Sequence, residues 1–311
     1  MSVAYVILAH RSPSQLARLL HRLHHPDDHA FVHIDRRVAL EPFREALAPL
    51  LATGNVHFAR RRLRTPWGGF GFCAAVLATL EQALQGAIFT HVSLLSGQDY
   101  PLVPASALRD FFEAAGERSF LSYSSGDGKR PPARAGNLAW YWNGDLRRVT
   151  YRHYRVRGHF LHIPNRYMPG LPRLAPPAEM KLYQGSAWWT LSRAAAHYTV
   201  ETFVRRRTLR RYFRRVMVPD EFLFQMVLCN SDFMPTIVND DLHFIHWDGW
   251  HPKLLERADL SAIAQSFKLF ARKLDEERDH ALLDELDSLA DARAADPGAF
   301  VDELRRHYLD R

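Results

Sequence analysis

The chain has 311 residues, a formal net charge of +7, and 47% hydrophobic against 24% charged residues. That balance belongs to globular proteins and excludes collagen, coiled coil and a disordered chain, and no apolar run approaches the roughly 20 residues of a membrane-spanning helix. The two cysteines, Cys73 and Cys229, cannot build a disulfide framework and suit a reducing compartment.

Ala4–Ala9 (AYVILA) is an unbroken apolar run, as expected of a strand buried in a parallel sheet. It starts too early for a charged leader to precede it, so the expectation is a cytoplasmic chain. Ser12 is expected to cap the next helix, with Pro13 at its first position, because Leu16, Leu19, Leu20 and Leu23 recur at helical spacing. A strand Ala30–Ile34 runs to Asp35, followed by a helix Pro42–Leu51 and a short strand Val56–Phe58. A helix Gly71–Leu84, a strand Phe89–Leu95 and a helix Ala105–Ala114 complete the series. Crossovers between parallel strands need helices, so this order predicts an α/β fold with a mostly parallel, Rossmann-like sheet flanked by helices. Such sheets bind ligands at the carboxyl ends of their strands, which assigns His10, Asp35 and the turn Ser96–Asp99 to one rim.

Residues 123–181 lack periodicity and are rich in Arg, Pro, Tyr and Gly. The aromatics there (Trp140, Tyr141, Trp142, Tyr151, Tyr154, Tyr167) favour a binding surface over disorder. A strand Ala187–Leu191, a helix Arg193–Val204 capped by Ser192, and a helix from Pro219 to about Leu228 follow, and the last roughly 50 residues read as amphipathic helices.

The positive surplus is clustered. Arg205, Arg206, Arg207, Arg210, Arg211, Arg214 and Arg215 form one group, and Arg147, Arg148, Arg152, Arg155 and Arg157 another. Such clusters suit phosphate-bearing ligands, nucleic acid or an anionic membrane.

Several motifs carry chemistry. In VPDEFLFQ, Asp220 and Glu221 fall in the first turn after Pro219, where they compensate the helix dipole or serve as a fixed general base. In LFARKLD, Arg272 and Lys273 present paired cations, which neutralise a diphosphate or form a solvated turn with Asp275. Asp99 in SGQDYP is a ligand or the cap of its own turn. Trp188 and Trp189 in GSAWWTLS, and Trp247 and Trp250 in HWDGWHP, stack on sugars or fill the core. RTPWGGF lacks the P-loop pattern, and G-x-S-x-G, HExxH, CxxC and G-x-G-x-x-G are absent. There is no D-x-D after a strand either. An enzyme on a nucleotide-sugar diphosphate without that metal-holding pair would need cationic side chains on the leaving group.

Together AYVILAHR, FVHIDRR, WGGF, HVSLLSGQDYPL, GSAWWTLS, VPDEFLFQ and LFARKLD resemble the core-2/I-branching glycosyltransferases, a family that includes β-1,6-N-acetylglucosaminyltransferases and peptide O-xylosyltransferases. The resemblance runs from Ala4 to about Asp287 and has the look of a compact bacterial-type member. It implies a GT-A-like fold and an inverting, metal-independent transfer from a UDP-sugar, with N-acetylglucosamine the first choice and xylose the alternative. Carried over by position, Glu221 is the general base, and Arg272 and Lys273 bind the diphosphate. Ala9, His10, Asp35, Thr65, Trp67, Asp99, Ser186 and Trp188 contact the donor, with Asp35 on uracil. His251 stands near the phosphates where relatives carry arginine or serine. Trp247, Asp248 and Tyr154 go to the acceptor.

On this reading the chain is one glycosyltransferase domain: residues 1–122 a nucleotide-binding half, 123–181 an acceptor-side insertion, and 182–311 a catalytic and diphosphate-binding half. No metal or other cofactor is expected. The partners are a UDP-sugar, a glycan or glycoconjugate acceptor and, through the arginine clusters, an anionic inner-membrane surface. A basic nucleic-acid-binding module is the competing class, and no RRM, KH or helix-turn-helix signature supports it.

Overall fold

The computed structural model describes residues 2–125, 148–149, 151–156, 159–164, 167, 170, 174–249, 251–295 and 297–310. Trp140, Tyr141, Trp142, Arg147, Arg157 and Trp250 lie outside the described residues.

The predicted strand–helix alternation forms. Strands β1 (Val3–Ala9), β2 (His29–Ile34), β3 (Val56–Phe58) and β4 (His91–Ser96) alternate with helices α1 (Pro13–Leu23), α2 (Glu41–Ala52) and α3 (Gly71–Gly86). After β4 come β5 (Asp99–Pro101), α4 (Ala105–Ala115), β6 (Ser119–Leu121) and β7 (Ser124–Ser125). A hairpin of β8 (Arg152–Val156) and β9 (His159–Ile163) lies within the stretch read as irregular, and β10 (Tyr183–Gln184) pairs with β7. The strand expected at Ala187–Leu191 is β11 (Trp189–Ser192), followed by α5 (Arg193–Arg205), α6 (Arg207–Phe213) and α7 (Leu223–Leu228). Short strands β12 (Ile237–Val238), β13 (His243–Ile245), β14 (Trp247–Asp248), β15 (His251–Pro252) and β16 (Phe270–Arg272) precede helices α8 (His280–Ala295) and α9 (Pro297–Tyr308).

The main sheet has seven strands in the order β12-β6-β11-β4-β1-β2-β3. Strand β1 lies parallel between β2 and β4, and β11 runs antiparallel to both its neighbours. The unbroken apolar run of β1 has a direct explanation. Val3, Tyr5, Ile7 and Ala9 pack on one face with α1, α2, α4 and α8, whereas Ala4, Val6 and Leu8 pack on the other with α3, α5 and α7. A strand apolar on alternate residues only would leave one helical layer without a partner. Each fully buried Leu, Ile or Phe in these layers contributes about 1.5–3 kcal/mol of hydrophobic stabilisation.

A second, three-stranded sheet in the order β13-β16-β5 was not foreseen. Its register pairs Arg272 with Asp99 and Ile245 with Arg272, which delivers Arg272 to the carboxyl edge of the main sheet. Two further expectations are corrected. Ser12 is in a left-handed conformation (φ 50°) and its side chain makes no cap; its carbonyl accepts from Leu16 N instead. The single helix from Pro219 to Leu228 is broken into a 3-10 turn, Pro219–Glu221, and helix α7, with Phe222 (φ −129°) outside helical geometry between them.

Candidate active site

A cleft of about 1830 Å³ opens along the carboxyl edge of β1, β2 and β4. That exceeds the roughly 300–1,000 Å³ of an ordinary small-molecule pocket. Its floor is built for close approach. Gly97 N donates to Leu8 O at 3.0 Å, and a Cβ on Gly97 would come within 3.0 Å of the Ala9 methyl group. Ala9, His10 and Arg11, at the end of β1, line the cleft.

Asp35, at the end of β2, is buried (1% exposed) and lies behind the wall. Its carboxylate accepts from Arg37 N (2.7 Å), Arg37 Nε (3.0 Å) and Arg37 Nη2 (2.8 Å), and from Thr65 N (2.9 Å) and Thr65 Oγ1 (2.5 Å). Burial opposes its charge, but these donors hold the carboxyl well below the usual carboxylate range. Arg37 and Thr65 line the cleft, so Asp35 acts on it through them.

The cationic corner is the most constructed part of the cleft. Arg272 Nη1 donates to Asp99 Oδ1 at 2.6 Å and to Ser96 Oγ at 2.5 Å, and its guanidinium lies 4.1 Å over the Trp188 ring. Asp99 is fully buried, and its other oxygen accepts from Ser96 N at 2.5 Å. It is therefore both the cap of its turn and the anchor of Arg272. Neighbouring cations press on one another here. Burial, then Arg272 and Arg11, lower the Lys273 pKa against the pull of Asp275 and Asp99. Burial, then Arg11, lower that of His10, with Lys273 and Arg37 adding to the effect and Asp35 opposing it. A corner where cations depress each other's protonation gains from an added anion. Asp275 pairs with Arg11 (2.5 Å).

The acidic turn forms another wall. Val218 is held in a left-handed conformation (φ 51°), with its N–H donated to Gly68 O at 2.9 Å. A β-branched residue pays backbone strain there, and the chain turns directly into Pro219, Asp220 and Glu221. Arg148 Nη1 donates to Glu221 Oε2 at 2.7 Å. The Glu221 carbonyl accepts from Gly185 N at 2.9 Å. Burial pushes the carboxyl of Asp220 up to about 6, and Arg148 pulls it down. The buried Gln225 donates through Nε2 to Ser186 O (2.7 Å) and Ser122 O (3.3 Å), which seats the segment from Gly185 to Trp188. Ser186 Oγ accepts from Trp188 N at 3.2 Å.

Of the residues named from sequence, Ala9, His10, Thr65, Trp67, Ser186, Trp188, Glu221, Trp247, His251 and Arg272 line this one cleft. Trp67 stands out at 63% exposure. Asp35 and Asp99 support the wall from behind, and Lys273, half-buried next to Arg272 in the chain, is not among the lining residues. Asp248 and Tyr154 are exposed and are not among the lining residues. Arg11, Arg37 and Gln225 were not singled out from sequence. The local pattern Asp35-Arg-Arg37 signals a turn pair, whereas Arg148 reaches Glu221 from 73 residues away and leaves no local trace. Arg205 and Arg206 pair instead with Glu201 (2.7 Å) and Glu179 (3.7 Å). Among the described residues no group of His, Cys, Asp and Glu is gathered for a metal ion, and no helix is long and apolar enough to cross a membrane.

The family model described as Core-2/I-Branching enzyme matches residues 3–265. Among characterised proteins, the Arabidopsis thaliana beta-glucuronosyltransferase GlcAT14A is 29% identical over 286 residues, covering 88% of this chain and 60% of its own length. Xylosyltransferase 2 of Rattus norvegicus is 25% identical over 309 residues, 92% of this chain and 33% of its own length. The chain thus spans between a third and two thirds of the length of these relatives. The solved structure of S. aureus TarS 1-349 in complex with UDP-GlcNAc overlaps 76% of this chain and 55% of its own, with a TM-score of 0.37 and 13% identity.

Proposed function

The chain belongs to the Core-2/I-branching enzyme family, and from that premise we propose that it is an inverting glycosyltransferase that needs no metal and moves a sugar from a UDP-sugar to a hydroxyl of a glycan acceptor. The observation that carries this reading is the pairing, in one cleft, of the anchored cation Arg272 with the acidic turn that holds Glu221. A single displacement needs a base for the acceptor hydroxyl and compensation for the charge that gathers on the leaving diphosphate. Glu221 accepts the proton. Arg272 and Lys273 take the diphosphate charge, with Arg11 and His10 beside them, so the divalent ion of other sugar-nucleotide enzymes has no task left here. Ala9, Thr65 and Trp67 hold the nucleotide, Asp35 acts through Thr65 and Arg37, and Ser186, Trp188 and His251 border the sugar and phosphates. Trp247, Asp248 and Tyr154 serve the acceptor.

N-acetylglucosamine is the sugar of the sequence resemblance, and the names of the relatives put UDP-xylose and UDP-glucuronic acid beside it. Titration calorimetry with the three donors, followed by hydrolysis of the best binder in excess EDTA, separates them. The expected result is turnover that persists in EDTA; activity abolished by EDTA and restored by Mn²⁺ sinks the metal-free reading. Glu221→Gln is expected to bind UDP as the parent does and to lose roughly 10²–10⁴-fold in transfer. Near-normal transfer by that variant overturns its role.

A further inference from the structure

Behind Arg272 lies a buried histidine that the reaction as described does not use. The side chains of His243 and Asp99 are both 0% exposed. The ring of His243 packs against Trp188 (centroids 5.8 Å apart) and Phe270 (5.2 Å). Its Nδ1 lies 2.7 Å from the carbonyl of Asp241, and a carbonyl only accepts, so Nδ1 carries a proton. That leaves Nε2, which has no hydrogen-bond partner and stands 4.0 Å from Asp99 Oδ2. A neutral ring would thus set an unprotonated nitrogen, buried and orphaned, beside a carboxylate. The other charged groups about this pair are Arg272 on Asp99, Lys273 beyond it, and Asp241, whose Oδ1 accepts from His243 N at 3.1 Å.

We propose that His243 is a positioning residue for Arg272: it takes up a proton from solvent at Nε2 when a diphosphate enters the cleft, and so shares Asp99 with the guanidinium. In the empty cleft the Arg272 charge satisfies Asp99. A diphosphate competes for that charge and leaves a buried carboxylate short of compensation, which an imidazolium supplies. The same cycle read backwards makes protonation of His243 tighten the grip on the diphosphate, because linkage is reciprocal. Trp188, packed against both the Arg272 guanidinium and the His243 imidazole, holds the two groups in register.

This inference rests on the donor reading above, and one experiment separates the two. UDP binding is measured by calorimetry between about pH 6 and 8 in buffers of differing ionisation enthalpy. About one proton taken up per UDP is expected, with affinity falling about tenfold per pH unit over the linked range. His243→Gln is expected to bind UDP without that uptake, and the titration of UDP's own phosphate cancels in the comparison. Uptake unchanged in His243→Gln, or lost in His10→Gln and kept in His243→Gln, overturns the assignment. UDP that does not bind at all overturns the donor reading, and this inference falls with it. Should His243→Gln not fold, imidazole ¹⁵N shifts of the unmutated protein report directly: Nε2 is expected to gain its proton on adding UDP, and an Nε2 that stays unprotonated refutes the proposal.

Discussion

Asp220 and Glu221 are neighbours in sequence with different electrostatic settings. Glu221 is tied to Arg148 by a 2.7 Å ion pair, whereas burial pushes Asp220 up to about 6. A carboxyl raised above its ordinary value near 4 binds more protons folded than unfolded, so its contribution to stability is lost as pH rises through about 4 to 6. Asp220→Asn should therefore melt above the parent at neutral pH, with the gap closing below about pH 4. Equal melting curves across that window would show that Asp220 is not desolvated. Asp35 has the opposite sign, since its donors keep it charged to low pH and its stabilisation is lost only on acidification. The two acids were equally plain in the sequence. What distinguishes them is which donors the fold brings to each, and for Asp220 no local pattern tells.

Short elements explain most of what sequence reading missed. Strands β5, β13 and β16 have three residues each, too few for any period to show, and β16 reaches back more than 170 residues to pair Arg272 with Asp99. Longer elements were legible, because β1, β2 and β4 are apolar on both faces and α1 repeats leucine at helical spacing. Their ends were less so. Ser12 and Ser192 look alike as caps in sequence, yet only Ser192 accepts at a helix start, from Ala195 N at 3.3 Å. Ser192→Ala is expected to cost about 1 kcal/mol and Ser12→Ala less than about 0.5 kcal/mol in urea unfolding; equal costs would contradict the capping assignment. Gly185 is a sharper case. A Cβ there would sit 1.7 Å from Ser122 O and 2.6 Å from Ser122 C, against backbone that cannot swing aside. Gly185→Ala should destabilise by about 1–3 kcal/mol or more, and an unchanged melting temperature would mean the segment is looser than described.

Over the molecule as a whole, charge is segregated. Arg205, Arg206, Arg207, Arg211, Arg214 and Arg215 stand exposed on α5, α6 and the link that runs into the cleft wall at Met217 and Val218. At about 1 kcal/mol per basic residue near an anionic surface, such a face should bind vesicles that contain anionic lipid and release them in high salt, and replacing four of these arginines by glutamine should abolish co-sedimentation. Equal partitioning to neutral vesicles would reduce the face to a solvated one. A last consequence concerns the segment from Gly185 to Trp188. At one end its backbone grips the peptide of the proposed proton acceptor, and at the other its indole lies on the guanidinium of the proposed anion site. The span separating the start of bond formation from the end of bond cleavage is thereby set by one short strut. Lengthening it by a residue should misalign both halves of the reaction at once, so no compensating change on either side alone would restore turnover.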